Sequence, residues 1–371
     1  MRPLAVLLLT CAAAHAQPLA DRLNALVGAY HEAGQFDGVV LVAETTAGGD
    51  RVLYRGAFGE ADRAWGVPMT PDVRFPVASV TKQVAAVVAQ QLAAEGRLDL
   101  DAPVARYVPG LVPGGDSVRV RHLLDHSSGL PDLDADGGAA WACPLPDAGP
   151  DSLADAATLV RRFGAGPLRS VPGETVAYNN ADYLVLEAVL EAATGEPFGA
   201  LLQARILGPL GMADSGLLRE DAVVGRLVEA YDGDAPAACL ARWRFGAAAA
   251  MYATADDLAR FDLALMRGAL LPPDRLAALW ASSPERGYVA QGVWSYAKPV
   301  GTERTRVVER QGVFGPLGVL NVLLPDAGRA VVVLRNAGGA DLTALSYRPG
   351  LPDDLVRVLF DVPPTGPPAG D

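Results

Sequence analysis

Apolar runs of strand length stand near both ends of the chain, and apolar positions at helical spacing lie between them. Residues 38–44 read Gly-Val-Val-Leu-Val-Ala-Glu, a β-branched run. The Ala-Gly-Gly-Asp of 47–50 offers a turn, and 51–57 form a return strand, so the spacing predicts a hairpin. Towards the other end, 304–309 read as a strand. The apolar runs 317–324 and 329–335 are split by Pro325-Asp326-Ala327-Gly328, a turn sequence, and 351–360 predict a closing helix. In the middle, 79–95 are alanine-rich with apolar residues at helical spacing, and Gly96 is a fitting stop. Residues 181–193 before Gly195, 198–206 and 254–267 also predict helices, with Thr254 as N-cap ahead of the first-turn acids Asp256 and Asp257. The expected class is α/β (α+β): a mainly antiparallel sheet built from both chain ends and flanked by helices, with an inserted all-helical domain. The sheet region covers about 17–78 and 290–371, and the helical region about 79–289. A catalytic site belongs in the cleft where the two meet.

The first sixteen residues predict a signal peptide. Arg2 supplies a positive start, 4–14 are apolar but too short to span a bilayer, and Ala14-His15-Ala16 is a small-x-small cleavage site ahead of Gln17. The expected location is periplasmic or secreted, with a lipoprotein anchored through Cys11 as the lesser alternative. After cleavage Cys143 and Cys239 remain, as one disulfide or as two separate thiols. No CxxC pair or HExxH occurs, so neither a metal site nor a cofactor is implied. Nor does any later stretch reach about 18 uninterrupted apolar residues, the length of a membrane span. The formal charge of −12 gives no basic face for nucleic acid.

Composition sharpens the chemistry. Lys82 and Lys298 are the two lysines among 31 Lys and Arg residues. A sequence that otherwise uses arginine keeps a lysine three residues after Ser79, at the predicted helix start. Arginine cannot serve as a base, whereas a desolvated lysine on the same helical face can take a serine proton. Tyr178-Asn179-Asn180 stands directly before the next helix, set off by the Pro172-Gly173-Glu174 turn. A tyrosine beside a lysine ammonium can shuttle a proton, and Asn180 can donate to a substrate carbonyl while accepting from the lysine. The alternative for this segment is a buried tyrosine with an asparagine N-cap. Asp125-His126 invites a Ser-His-Asp reading, but no Gly-x-Ser-x-Gly elbow accompanies it, and His126 is read as structural.

Ser79-x-x-Lys82, Tyr178-x-Asn180, the Leu-Leu-Asp-His-Ser-Ser-Gly-Leu-Pro of 123–131, the Leu-Gly-Met-Ala-Asp-Ser of 210–215 and the Met-Tyr-Ala-Thr-Ala-Asp-Asp of 251–257 occur in this order. On these segments the chain resembles the serine β-lactamase-like, penicillin-binding-protein-like family, in its class C, DD-peptidase and family VIII esterase branch. The resemblance implies acyl transfer through a serine ester. Ser79 is then the nucleophile, Lys82 and Tyr178 manage protons, and Asn180 positions substrate. The oxyanion hole is implied to use the backbone N–H of Ser79 and one near Val313. The family's third motif, a Lys or His, a small residue and Gly, is matched here by Arg310-Gln311-Gly312. Gly312 keeps the position where backbone approaches substrate. Arg310 is either a two-pronged carboxylate clamp or a solvated strand residue, and Gln311 is bulkier than usual. The expected function is an exported serine hydrolase acting on a small-molecule or peptide ester or amide, with carboxylesterase and D-amino-acid peptidase ahead of β-lactamase. The alternative is an inactive sensor of penicillins or peptidoglycan fragments.

Overall fold

The structure, a computed structural model, describes residues 17–133, 156–164, 166–219, 221–237, 245–339, 341–342 and 349–367. The leader with Cys11, and both Cys143 and Cys239, lie outside the described residues.

A six-stranded antiparallel sheet forms the frame. Its strands are β1 (Asp37–Thr46), β2 (Gly49–Phe58), β6 (Trp294–Val300), β7 (Glu303–Phe314), β8 (Leu317–Leu324) and β9 (Arg329–Ala337), in the order β6-β7-β8-β9-β1-β2. The two chain ends meet where β1 pairs with β9, Val39 opposite Leu334 and Leu41 opposite Val332. The apolar runs are continuous rather than alternating because both faces of the sheet are covered. On β8, Val319 and Leu323 enter one hydrophobic cluster, while Leu320, Val322 and Leu324 enter the other.

The outer face carries α1 (Leu19–Glu32) and α5 (Leu351–Leu359). Leu23, Leu26, Val27 and Tyr30 of α1 are buried, spaced as one helical stripe. Lys298 on β6 pairs here with Asp353, at 2.9 Å. The inner face carries α2 (Val80–Ala94) and α4 (Ala255–Met266). Thr254 caps α4, accepting from the Asp257 N–H at 3.2 Å. Thirteen of the fifteen residues of α2 are buried, so this helix is enclosed on nearly all sides. Beyond it lies α3 (Asn180–Thr194), ended by Gly195 in the left-handed conformation.

The inserted region is mainly helical, but not wholly: among the described residues β3 (Phe75–Pro76), β4 (Gly216–Leu217) and β5 (Met251–Ala253) form a small three-stranded sheet, and Tyr231–Asp232 pairs with Ala235–Pro236 in a two-stranded ribbon. β3 leads straight into the start of α2 and so fixes its N-terminus. Among the described residues no helix is long and apolar enough to cross a membrane.

Candidate active site

The start of α2 is unusually shaped. Ala78 has φ +48°, in the left-handed region that non-glycine residues avoid, immediately before Ser79. Ser79 occupies the N-cap position, yet its side chain makes no cap bond. The hydroxyl instead lies 2.7 Å from the phenol oxygen of Tyr178 and accepts from Lys82 Nζ at 3.2 Å.

Lys82 has no exposed surface. Its Nζ also donates to Asn180 Oδ1 and to the carbonyl of Ala248, both at 2.8 Å. Burial, assisted by the Arg310 charge and resisted by Tyr178, lowers its pKa to about 8. Tyr178 is 40 % exposed, while its hydroxyl points into the cluster and also donates to Asn180 Oδ1 at 3.3 Å. Burial pushes that phenol up, but the charges of Lys82 and Arg310 and the Ser79 hydroxyl outweigh burial and bring it below its ordinary value. Four side chains from two chain segments thus share one network, with the Ala248 carbonyl from a third.

Both asparagines have distinct tasks. Asn179 is the N-cap of α3, accepting from the Ala181 N–H at 2.7 Å and donating to the Leu130 carbonyl at 2.6 Å. That leaves Asn180 free of capping and turned towards Lys82. The backbone N–H of Asn180 donates to Asp132 Oδ1 at 3.0 Å.

The third motif lies on β7, where alternation places Arg310 and Gly312 on the face that meets α2. Gly312 is a genuine close approach: a Cβ there would stand 2.2 Å from the Val77 carbonyl oxygen and 3.0 Å from the Ser79 nitrogen. Val313, next to it, is 46 % exposed, and Gln311 points away from α2. Arg310 corrects the solvated-strand expectation. It is 2 % exposed, donates from Nε to the Ser79 carbonyl and from Nη2 to the Tyr178 phenol, each at 2.9 Å, and stacks against Trp294.

A support that the sequence reading left structural sits beneath Tyr178. His126 is 2 % exposed, has φ +57°, and its ring centre is 4.7 Å from that of Tyr178. Its Nδ1 meets Asp182 Oδ2 at 3.0 Å, and Ser128 donates to the other oxygen of that carboxyl. Burial pushes the His126 pKa far down and the Asp182 pKa far up, disfavouring charge on either. Asp125 does not partner His126; it binds Ser127 and Arg286. Asp182 lies two residues after Asn180, and the partnership of a helix-start acid with a distant loop histidine was the missed signal.

The fold and this cluster are those of the serine β-lactamase-like, penicillin-binding-protein-like class. A family model described as Beta-lactamase matches residues 23–368, and the chain belongs to that family. Esterase EstB of Burkholderia gladioli is 38 % identical over 211 residues, covering 55 % of this chain and 53 % of that protein. The chain spans about half the length of the curated relatives it matches. A D-stereospecific amidohydrolase from Streptomyces sp. superposes with TM-score 0.66 at 27 % identity, covering 85 % of this chain and 94 % of the other. A penicillin-binding protein from Bacillus halodurans superposes with TM-score 0.71 at 25 % identity, over 85 % and 96 %.

Proposed function

We propose that the protein is an exported serine hydrolase that cleaves an ester or amide through an acyl-Ser79 intermediate. The observation that carries this reading is the Ser79 hydroxyl, 2.7 Å from Tyr178 and 3.2 Å from Lys82, whose pKa burial brings down to about 8. Tyr178 as phenolate takes the proton of Ser79 while the serine oxygen forms a bond to the substrate carbonyl carbon. The resulting oxyanion is held by the N–H groups of Ser79 and Val313, each such donor contributing about 3 kcal/mol in comparable sites. The carbon–oxygen or carbon–nitrogen bond then breaks, and Tyr178 returns its proton to the leaving alcohol or amine. In the second half a water gives its proton to Tyr178 and attacks the acyl carbon, and Ser79 leaves with that proton restored. Lys82 keeps the charge of the network balanced, and Asn180 holds the lysine and orients substrate.

EstB is named an esterase and the Streptomyces protein a D-stereospecific amidohydrolase, which supports ester and D-amino-acid amide substrates as the first to test. Export rests on the sequence pattern of the first sixteen residues. The test is intact-mass spectrometry after incubation with a fluorophosphonate, a short-chain activated ester and a D-amino-acid amide. A covalent adduct on the wild type, absent in Ser79→Ala, is the expected result. Since the Ser79 hydroxyl makes no cap bond, Ser79→Ala should melt at the wild-type temperature. No adduct from folded wild-type protein would leave a binding protein as the better reading.

A further inference from the structure

Arg310 is placed in a way that bears on which substrates the site accepts. Its side-on edge is in use, Nε on the Ser79 carbonyl and Nη2 on the Tyr178 phenol, each at 2.9 Å. The planar group lies 5.0 Å from the Tyr178 ring centre and 4.9 Å from that of Trp294, and those two rings stack on each other at 6.3 Å. Among the described residues no carboxylate bridges to it. A guanidinium does not deprotonate, and a buried charge needs a compensating one. Of the two oxygens Arg310 meets, the one able to carry negative charge is that of Tyr178.

The other charged groups around the phenol complete the picture. Lys82 approaches from α2, its Nζ 5.0 Å from the Tyr178 ring centre. From the loop side, Asp182 is held by His126 and Ser128, Asp125 by Arg286, and Asp132 by the Asn180 N–H. Two cations therefore converge on one phenol, and the nearby carboxyl groups have partners of their own.

We infer that Arg310 is the built-in counter-charge of Tyr178 and not a receptor for a substrate carboxylate, so that the site selects acyl donors uncharged around the scissile bond. This rests on the acyl-Ser79 reading and narrows it. Neutral esters and amides fit. Peptides ending in a free carboxylate, and penicillins with their ring carboxylate, would have to pull the guanidinium edge off Ser79 and Tyr178 and bring a second anion against the first. The formal charge of −12 adds a field of the same sign.

The test uses matched pairs on the purified chain: p-nitrophenyl butanoate against mono-p-nitrophenyl succinate, and N-acetyl-D-alanyl-D-alanine amide against the free acid. The neutral member of each pair should have a kcat/KM higher by about tenfold or more. Arg310→Lys, which cannot span both acceptors and leaves a mobile ammonium, should shrink that ratio. A ratio near one or reversed in the wild type, or one unmoved in Arg310→Lys, overturns the inference. Should the variant not fold, phenylboronic acid and its 3-carboxy derivative decide on the unaltered chain. Tighter binding of the neutral boronate supports the inference, and equal or tighter binding of the carboxylate overturns it. A fluorophosphonate adduct at Ser79 with the wrong preference defeats this inference alone, whereas no adduct defeats the hydrolase reading itself.

Discussion

Lys82 and Gln83 are consecutive on α2, and neither has any exposed surface, yet the polar clusters they anchor are built in opposite ways. Around Lys82, hydrogen bonds and like charges converge on an oxygen that can be reached from the cleft, because Tyr178 is 40 % exposed. Around Gln83, the amide of Asn321 donates to Gln83 Oε1 at 3.1 Å and to Asp262 Oδ1 at 2.7 Å, sealed between α2, α4 and β8. There Gln83 Nε2, Asp262 Oδ2 and Asn321 Oδ1 make no hydrogen bond among the described residues. Burial drives Asp262 far up in pKa, so this second cluster disfavours charge. Burying polar groups is common to both. The reactivity proposed above belongs to the one that sets cationic groups against a phenol and lies beside an exposed face of Tyr178.

The largest effects should come from removing that charge logic. Lys82→Arg retains a cation, but its longer planar head does not fit the acceptors at Ser79, Asn180 and Ala248, so the Tyr178 phenolate loses the ammonium that balances its charge beside Ser79. Turnover should fall by about 10²–10⁴-fold, the usual share of general acid–base catalysis. In the wild type, kcat/KM should climb as pH rises through about 8, because only then does the coupled Lys82 and Tyr178 pair shed the proton that blocks it. Steady-state rates between pH 5 and 10 check both. An acid limb that persists unmoved in Lys82→Arg would break the assignment.

How much of this was legible in the sequence follows from distance along the chain. Ser79 and Lys82 are one helical turn apart, and lysine is so rare here that its placement was readable from composition alone. Gly312 was readable as a close approach, and the structure gives the reason in the Val77 carbonyl. The placement of Arg310 was not readable, because it depends on Trp294, on a neighbouring strand that was not foreseen. β5 has three residues and carries no periodicity to detect. By contrast, α1 was detectable: Leu23, Leu26, Val27 and Tyr30 repeat at helical spacing. The pairing of His126 with Asp182 joins residues 56 positions apart, and only packing reveals it.

That pair supplies the next effect in size. His126→Asn tolerates the left-handed backbone but removes the ring under Tyr178. As a positioning change it should lower kcat by about 10- to 100-fold with KM nearly constant, since small displacements of a reacting group cost that much. It should also move the pH limb near 8, because the phenol would lose its fixed place between Lys82 and Arg310. A fall in melting temperature with kcat and the limb unchanged would reduce His126 to a packing residue.

The smallest effect tests the silent half of the comparison. With its folded pKa raised above the unfolded value, Asp262 keeps its proton in the folded state while the unfolded chain has released it. The unfolded state then binds fewer protons, so this residue's contribution to stability falls as pH rises from about 4 towards the folded pKa. Asp262→Asn is isosteric, carries no proton to lose, and presents an N–H to the Asn321 Oδ1 that makes no bond in the wild type. It should therefore melt above the wild type, by a margin that widens between pH 4 and pH 8, with kcat on any Ser79-dependent substrate unchanged. Thermal melts across that range measure the margin. A margin that stays flat would mean that Asp262 is ionised in the folded state, and a fall in kcat would mean that the two clusters on α2 are not independent.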